Sequence, residues 1–278
     1  MNQLWFYQIP NWQLGVLIIG TFTILSIAGF LMTRKWVRSF KSHHNDVVSC
    51  FVATIGVLYA VLLAMIAVAS WNNYTDVDSL VSQEADLVHA MFRDADAFPS
   101  PHRERFRLLL REYVDTVIRI EWPSLQQGRE EKRAAMAVDA IFKEWIDFQP
   151  KSEKENVVAT EIFGRLNTFQ SVRRSRIQTG LGGLMPVLWG VVVVGAVLNL
   201  GMTYLFWMDD QKVHFVMTAV LGATIGMVVY LILALDHPLW GEVSVPPAAF
   251  EVVGASMDRS LNPMTPGERR AASNGIMP

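Results

Sequence analysis

Residues 47–71 read VVSCFVATIGVLYAVLLAMIAVASW, with no Asp, Glu, Lys, Arg or His among them. Wound as an α-helix, a segment of this length crosses a hydrocarbon layer roughly 30 Å thick. Residues 12–33, 184–207 and 215–235 share the same lack of charge. Lipid offers a backbone amide no partner, so each stretch has to satisfy its hydrogen bonds internally and spans as a helix. The sequence therefore predicts an all-α, polytopic membrane protein with four transmembrane helices. Tryptophans mark the ends of these stretches: Trp12 and Trp36 around the first, Trp71 and Trp207 closing the second and third, and Trp240 following the fourth. Indoles gather at the membrane interface because the ring is apolar while its N–H is wet.

Short connections at residues 34–46 and 208–214 pair the spans as two hairpins. This divides the chain into an N-terminal hairpin over 1–71, a helical extramembrane domain over 72–183, a C-terminal hairpin over 184–235 and a breaker-rich tail over 236–278. Beyond the second span, Val77, Leu80, Val81, Leu87, Val88, Met91 and Phe92 recur at helical spacing, so that span is expected to run on as an amphipathic helix until Phe98-Pro99-Ser100-Pro101 stops it. Ser100 is placed to cap the next helix, with Pro101 in its first turn. The face Phe106, Leu109, Leu110, Tyr113, Val114, Val117 and Ile118 keeps helical period up to Trp122-Pro123, the expected end of that helix. A third helix over about 129–148 is expected to bury Ile141, Phe142, Trp145 and Ile146. Ser152 and Glu155 form a capping-box pattern for a fourth, which carries Val158, Ile162, Leu166, Phe169 and Val172 toward a bend at Gly180, Gly182, Gly183 and Pro186. In the tail, one short helix near 248–257 interrupts an otherwise loose stretch.

Composition excludes several functions. A net charge of −2, with no basic patch interleaved with aromatics, leaves nothing to hold nucleic acid. Cys50 is the only cysteine, which rules out an intramolecular disulfide and a cysteine-based metal site. No basic residue precedes the first apolar stretch, and it ends in Thr33-Arg34-Lys35, so it reads as a retained anchor and not as a cleaved signal. No nucleophile elbow, phosphate-binding glycine loop or His-Glu-x-x-His occurs, and the chain is expected to be no enzyme, with neither cofactor nor metal. His43 and His44 with Asp46 fan outward on a basic loop and do not converge as ligands. His237 beside Asp236 reads as an interfacial cap. None of the spans carries the ionisable group that proton- or ion-coupled transporters place at membrane depth.

Small residues inside the spans are more informative. In the second span Ala53, Gly56, Ala60, Ala64 and Ala67 form one stripe, opposite Phe51, Ile55, Leu58, Leu62 and Ile66; the fourth repeats the device with Thr218, Gly222 and Gly226. Lipid supplies no hydrophobic push, so helices associate where small residues let backbones approach. Either both stripes pack one four-helix unit, or the second span also faces a symmetry axis and lines a pore. In the pore reading Leu58, Leu62 and Met65 form an apolar constriction, unless the Ala60 and Ala64 side turns inward. The acidic collar that follows, Asp76, Asp78, Glu84 and Asp86, is either a solvated helix face or a set of rings that favours cations.

Several segments resemble the bacterial bestrophin-like membrane family (domain of unknown function 4239), a distant relative of the bestrophin channels. They are His44-Asn45-Asp46-Val47-Val48, the run from Gly56 to Ala64, Trp71, Tyr74, Glu84, Tyr113, Glu121-Trp122-Pro123, Arg173, Arg176, Pro186, Leu235-Asp236-His237-Pro238, Gly241, and Ser244, Val245, Pro247 and Phe250. The resemblance implies a multi-pass protein of the cell inner (plasma) membrane that assembles as a homo-oligomer, a pentamer by likeness. It further implies an ion pathway lined by the second span and a cytoplasmic helical domain. The basic residues point mildly the other way: Arg34, Lys35, Arg38, Lys41 and Lys212 lie in the short loops, against Arg165, Arg173, Arg174 and Arg176 ahead of the third span. The functional expectation is an oligomeric passive ion channel, with a non-conducting scaffold or sensor as its rival.

Overall fold

The computed structural model describes residues 9–37 and 45–261, without the side chains of residues 35–37. Their regular structure is helical throughout: α1 Asn11–Val37, α2 Asn45–Asp94, α3 His102–Thr116, α4 Trp122–Gln126, α5 Lys132–Asp147, α6 Glu153–Leu181, α7 Pro186–Thr203, α8 Gln211–Asp236 and α9 Ala248–Leu261. Four segments are long and apolar enough to cross a membrane: Asn11–Arg34, Asn45–Ala97, Glu153–Thr203 and Gln211–Asp236. His43, His44, the basic residues Arg38 and Lys41, the side chain of Lys35, and residues 262–278 of the tail lie outside what is described.

The chain forms two compact units, one from the residues up to Thr75 together with Gly180–Ser244, the other from Asp76–Thr179 together with the residues from Val245 on. In the first unit α1 and α8 make the most extensive helix pair. They run antiparallel, Gly15 lying against Tyr230, Gly226 against Ile19 and Phe22, and Gly222 against Ser26. Most span hydroxyls are absorbed by their own helix: Thr21, Thr23, Thr33, Ser70 and Thr224 each donate to the carbonyl four residues back. This leaves them silent in lipid. Helix α2 joins by one edge, where Tyr59, Leu63 and Ile66 meet Val192, Ala196 and Leu200 of α7 and Ile225, Val229 and Ile232 of α8. One edge of the Tyr59 ring lies against Gly195, and its hydroxyl donates to Val192 O at 2.9 Å. At the start of α2, the Asn45 amide grips the backbone of Trp207 twice, donating to its carbonyl at 2.7 Å and accepting from its N–H at 3.0 Å. Trp207 thus lies in the loop beyond α7, which ends at Thr203 and not at the tryptophan.

In the second unit α3 packs on α5, with Phe98, Phe106, Trp145 and Phe148 clustered between them; the Phe98 and Phe148 rings are 4.6 Å apart. Three local expectations need correction. Helix α3 opens at His102 with Pro101 and not Ser100 at the N-cap position, and no side-chain hydrogen bond caps this end. Ile146 is exposed and leaves the packing of α5 to Ala134, Val138 and Ile141. Trp122-Pro123 does not stop the helix: a π-helical turn at Val117–Glu121 carries α3 directly into α4. Pro123 has no N–H to give to the carbonyl four residues back, and just ahead of it the ladder widens, Trp122 N–H donating to Val117 O. The chain turns away only after Gln126, at Gly128 with φ 69°, a backbone conformation that needs glycine. At α6 the capping box is half made: Glu155 N–H donates to Ser152 Oγ at 3.2 Å, while the Glu155 carboxylate accepts from Lys151 N–H and not from Ser152.

Candidate functional site: the second helix and its buried charge cluster

Helix α2 is unbroken over 50 residues, about 75 Å at 1.5 Å per residue. Inside the first unit it buries only the edge of Tyr59, Leu63, Ile66 and Ser70. Leu58, Leu62 and Met65 stand 62%, 45% and 66% exposed. Ala53, Ala60 and Ala64 are exposed as well, and Gly56 and Ala67 half-buried. The fourth-span stripe of Thr218, Gly222 and Gly226 packs within the chain; of the α2 stripe, Ala67 packs against the contact with α7 and α8 and Gly56 lies near Asn199, while Ala53, Ala60 and Ala64 stay exposed. An apolar groove of about 590 Å³ runs between α2 and α7 beside Ile55, Leu58, Leu62, Val191 and Leu198.

Of the acidic collar, Asp76, Asp78 and Asp86 are exposed, but Glu84 is fully buried. Its carboxylate takes a fork from Arg176, with Nε donating to Oε2 at 2.6 Å and Nη2 to Oε1 at 3.3 Å, and accepts the Tyr113 hydroxyl hydrogen bond. Arg176 Nη2 also donates to Glu121. Arg173, one turn earlier on α6, closes the set with a fork onto Glu121 at 3.0 and 2.6 Å and a 3.3 Å bond to the Tyr113 oxygen. The Arg176 guanidinium lies 5.1 Å from the Trp122 ring centroid and 5.9 Å from that of Phe250 on α9. Two carboxylates and two guanidiniums, all buried, balance in charge.

Burial opposes ionisation of Glu121, yet Arg176 and Arg173 overcompensate and hold its carboxyl below the usual range. Burial first, then the neighbouring Glu84 charge, pushes the Tyr113 phenol well above its ordinary value. A lowered carboxyl contributes stability above its unfolded pKa of about 4.3 and loses it as pH falls through its folded value. A raised phenol contributes below about pH 10 and loses that as the pH climbs toward its folded value. Thermal midpoints are therefore expected to fall on the acid side below about pH 4 and on the alkaline side above about pH 10, with Tyr113→Phe shrinking the alkaline fall. An alkaline limb unchanged in Tyr113→Phe would contradict this.

A third constellation closes the α6–α7 break. Asp236 Oδ1 accepts from Leu184 N–H at 2.6 Å, its Oδ2 faces Trp189 Nε1 at 3.4 Å and His237 Nδ1 at 3.2 Å, and the His237 ring stacks on Trp240 at 3.9 Å. Gly183 lies directly beneath His237 and Gly180 beneath Leu239, where a side chain would collide. Asp236 thus holds the Leu184 amide just ahead of α7, whose own first turn has no side-chain cap, and His237 lies against the same carboxylate. No group of three or more His, Cys, Asp or Glu among the described residues is placed to hold a metal ion. Glu121, Arg173 and Arg176 had no role legible in the sequence beyond the family resemblance. The signal was present: each falls on an apolar helical stripe, Glu121 four residues after Val117, and Arg173 and Arg176 after Ile162, Leu166 and Phe169.

Four membrane-length helices, a helical unit knit by buried ion pairs and a second helix bare over most of its girth define a polytopic helical membrane protein. The profile of the Bestrophin-like domain matches residues 19–250, and the chain belongs to the bestrophin-like family. The fold is similar to crystal structures of a bacterial bestrophin homologue from Klebsiella pneumoniae in three point-mutant forms. TM-scores are 0.62, 0.62 and 0.61 at 11%, 12% and 11% identity, covering 89%, 89% and 87% of this chain and 99%, 99% and 98% of those chains. At such identity the likeness is one of fold. No curated protein sequence shows significant similarity to the chain.

Proposed function

We propose that the chain is a subunit of a passive ion channel of the inner membrane, in which α2 from several copies surrounds the ion pathway and no cofactor takes part. The carrying observation is the exposure of Leu58, Leu62 and Met65 on the face that adjoins the edge by which α2 is held, within a bestrophin-like fold. A lone transmembrane helix gains nothing by projecting both a bulky and a small-residue face, whereas an oligomer uses one for contact and the other for the pathway. Leu58, Leu62 and Met65 form the constriction, which controls hydration without binding ions tightly, and the Ala60 and Ala64 side meets the neighbouring copy. Asp76, Asp78 and Asp86 along the same helix favour cations over anions near the mouth. A homo-oligomer, a pentamer by family likeness, follows from this reading.

Planar bilayers test it. Purified protein is expected to give ohmic single-channel currents, and Leu62→Ala to raise unitary conductance by widening the apolar constriction. Silent bilayers from a well-folded oligomer would instead leave a scaffold whose helical domain binds a partner.

A further inference from the structure

Helix α6 has an outer face unlike those of its neighbours in the second unit. Over residues 162–172, about three turns, the exposed positions are Phe163, Gly164, Asn167, Thr168, Gln170 and Ser171, none of them charged. Arg165, the charged residue of that stretch, turns aside to Asp94 and Glu161 at 3.3 and 3.2 Å. A helix face turned to water normally carries charge, as the outer sides of α3 and α5 do with Arg105, Glu112, Lys143 and Asp147. Here Phe163 is 47% exposed, and a side chain on Gly164 would meet nothing within 4 Å. Small residues at such a face let a second helix approach closely. The charges around it are complementary to another face of the same unit. Arg174 is exposed and makes no ion pair among the described residues, and neither do Asp76, Asp78 and Asp86 on the outer side of α2. By contrast, Arg111 pairs with Asp258 at 2.6 Å, Arg107 with Asp96 at 2.7 Å and His102 with Glu144 at 2.8 Å. Glu84 bonds Arg176 and Asp94 pairs with Arg165, so these stretches of α2 and α6 run antiparallel and in step. That sets Arg174 at the height of Asp86, and Asn167 at the height of Arg93. In a cyclic assembly whose axis lies along the two stretches, rotation keeps each residue at its own height.

We propose that the outer face of α6 is the seat of a second copy of this chain, whose α2 residues 76–94 lie along Gly164, Asn167 and Ser171 and whose Asp86 pairs with Arg174. Two different faces meeting head to tail close into a ring when the rotation allows it. The contact rests on the channel reading for its ring. It takes Asp86 out of the charges offered to ions and leaves Asp76 and Asp78.

Charge exchange tests it in mild detergent, read by size exclusion with light scattering. Arg174→Glu sets two carboxylates against each other and is expected to raise the concentration for half-assembly at least about tenfold, as is Asp86→Lys. The double variant Arg174→Glu/Asp86→Lys should return to the parental value, and Arg105→Glu on α3 should leave assembly unchanged. Neutralising Arg174 is a mild change, because an exposed ion pair adds little to stability. Gly164→Leu, with open space around it in one copy, should keep the parental circular dichroism spectrum yet lose the oligomer. Cross-linking identifies the occupant: on a Cys50→Ser background, a copy carrying Arg174→Cys and a differently tagged copy carrying Asp86→Cys should join on oxidation into a dimer bearing both tags. A double variant that does not recover, full assembly of Gly164→Leu, or no mixed-tag dimer in protein that elutes as an oligomer would each overturn the contact. A parental protein that runs as a monomer would overturn it as well. The channel reading fails separately: silent bilayers from protein that cross-links as expected sink conduction and keep the contact, and ohmic currents from protein that never cross-links do the reverse.

Discussion

Arg176→Met is expected to lower the stability of the detergent-purified protein by roughly 3–5 kcal/mol, whereas Arg174→Ala on the exposed side of α6 is expected to stay within about 0.5 kcal/mol. Removing Arg176 strands the Glu84 carboxylate in a fully buried site with only the Tyr113 hydroxyl as partner, and leaves Glu121 to Arg173 alone. The penalty comes from the uncompensated buried charge more than from the missing attraction of the fork, so the double variant Glu84→Leu/Arg176→Met is expected to recover part of it, with a coupling of about 1–3 kcal/mol. Thermal unfolding followed by tryptophan fluorescence reads these proteins and the Glu84→Leu single variant that completes the cycle. A double variant as damaged as the sum of its parts would show that the four groups do not act as one unit.

Gly226→Leu is expected to prevent folded assembly, while Val228→Leu, two residues away on the half-buried side of α8, is expected to be tolerated. A single methyl placed on Gly226 would already lie 3.0 Å from Ile19 Cα and 3.0 Å from Phe22 Cβ. Backbone cannot yield as a flexible side chain can, so α1 and α8 have to part, and this is the most extensive helix contact in the first unit. Overpacking of this kind typically costs about 1–3 kcal/mol in a soluble core. The loss is greater here, because without a hydrophobic push between helices close packing is most of what holds them. Gly222→Leu, which drives a side chain into Ser26 and the Phe22 carbonyl, should match it. Size-exclusion yield in mild detergent gives the answer, and equal oligomer peaks for Gly226→Leu and Val228→Leu would count against it.

The four spans, the run of α2 past the membrane, the break before Pro186 and the capping pattern at Ser152 were legible because each rests on local chemistry: absence of charge over a membrane thickness, helical periodicity, and residues that stop or start a helix. The family was legible from short motifs in order along the chain, and the domain profile agrees. Trp122-Pro123 misled for a physical reason, since a proline tolerated behind a π turn looks the same in sequence as one that ends a helix.

Residues 47–71 needed no partner to declare a membrane helix, because the bilayer acts on each segment separately. Glu84 is the opposite case. Its own run, Asp76 to Asp86, reads as a water-facing collar, although Val81 and Val88 put Glu84 itself on the apolar side of the helix. Its partners are Tyr113 and Arg176, 29 and 92 residues away along the chain. Solvation of a charge depends on what the folded chain brings near it, and that is a property of packing and not of neighbours in sequence.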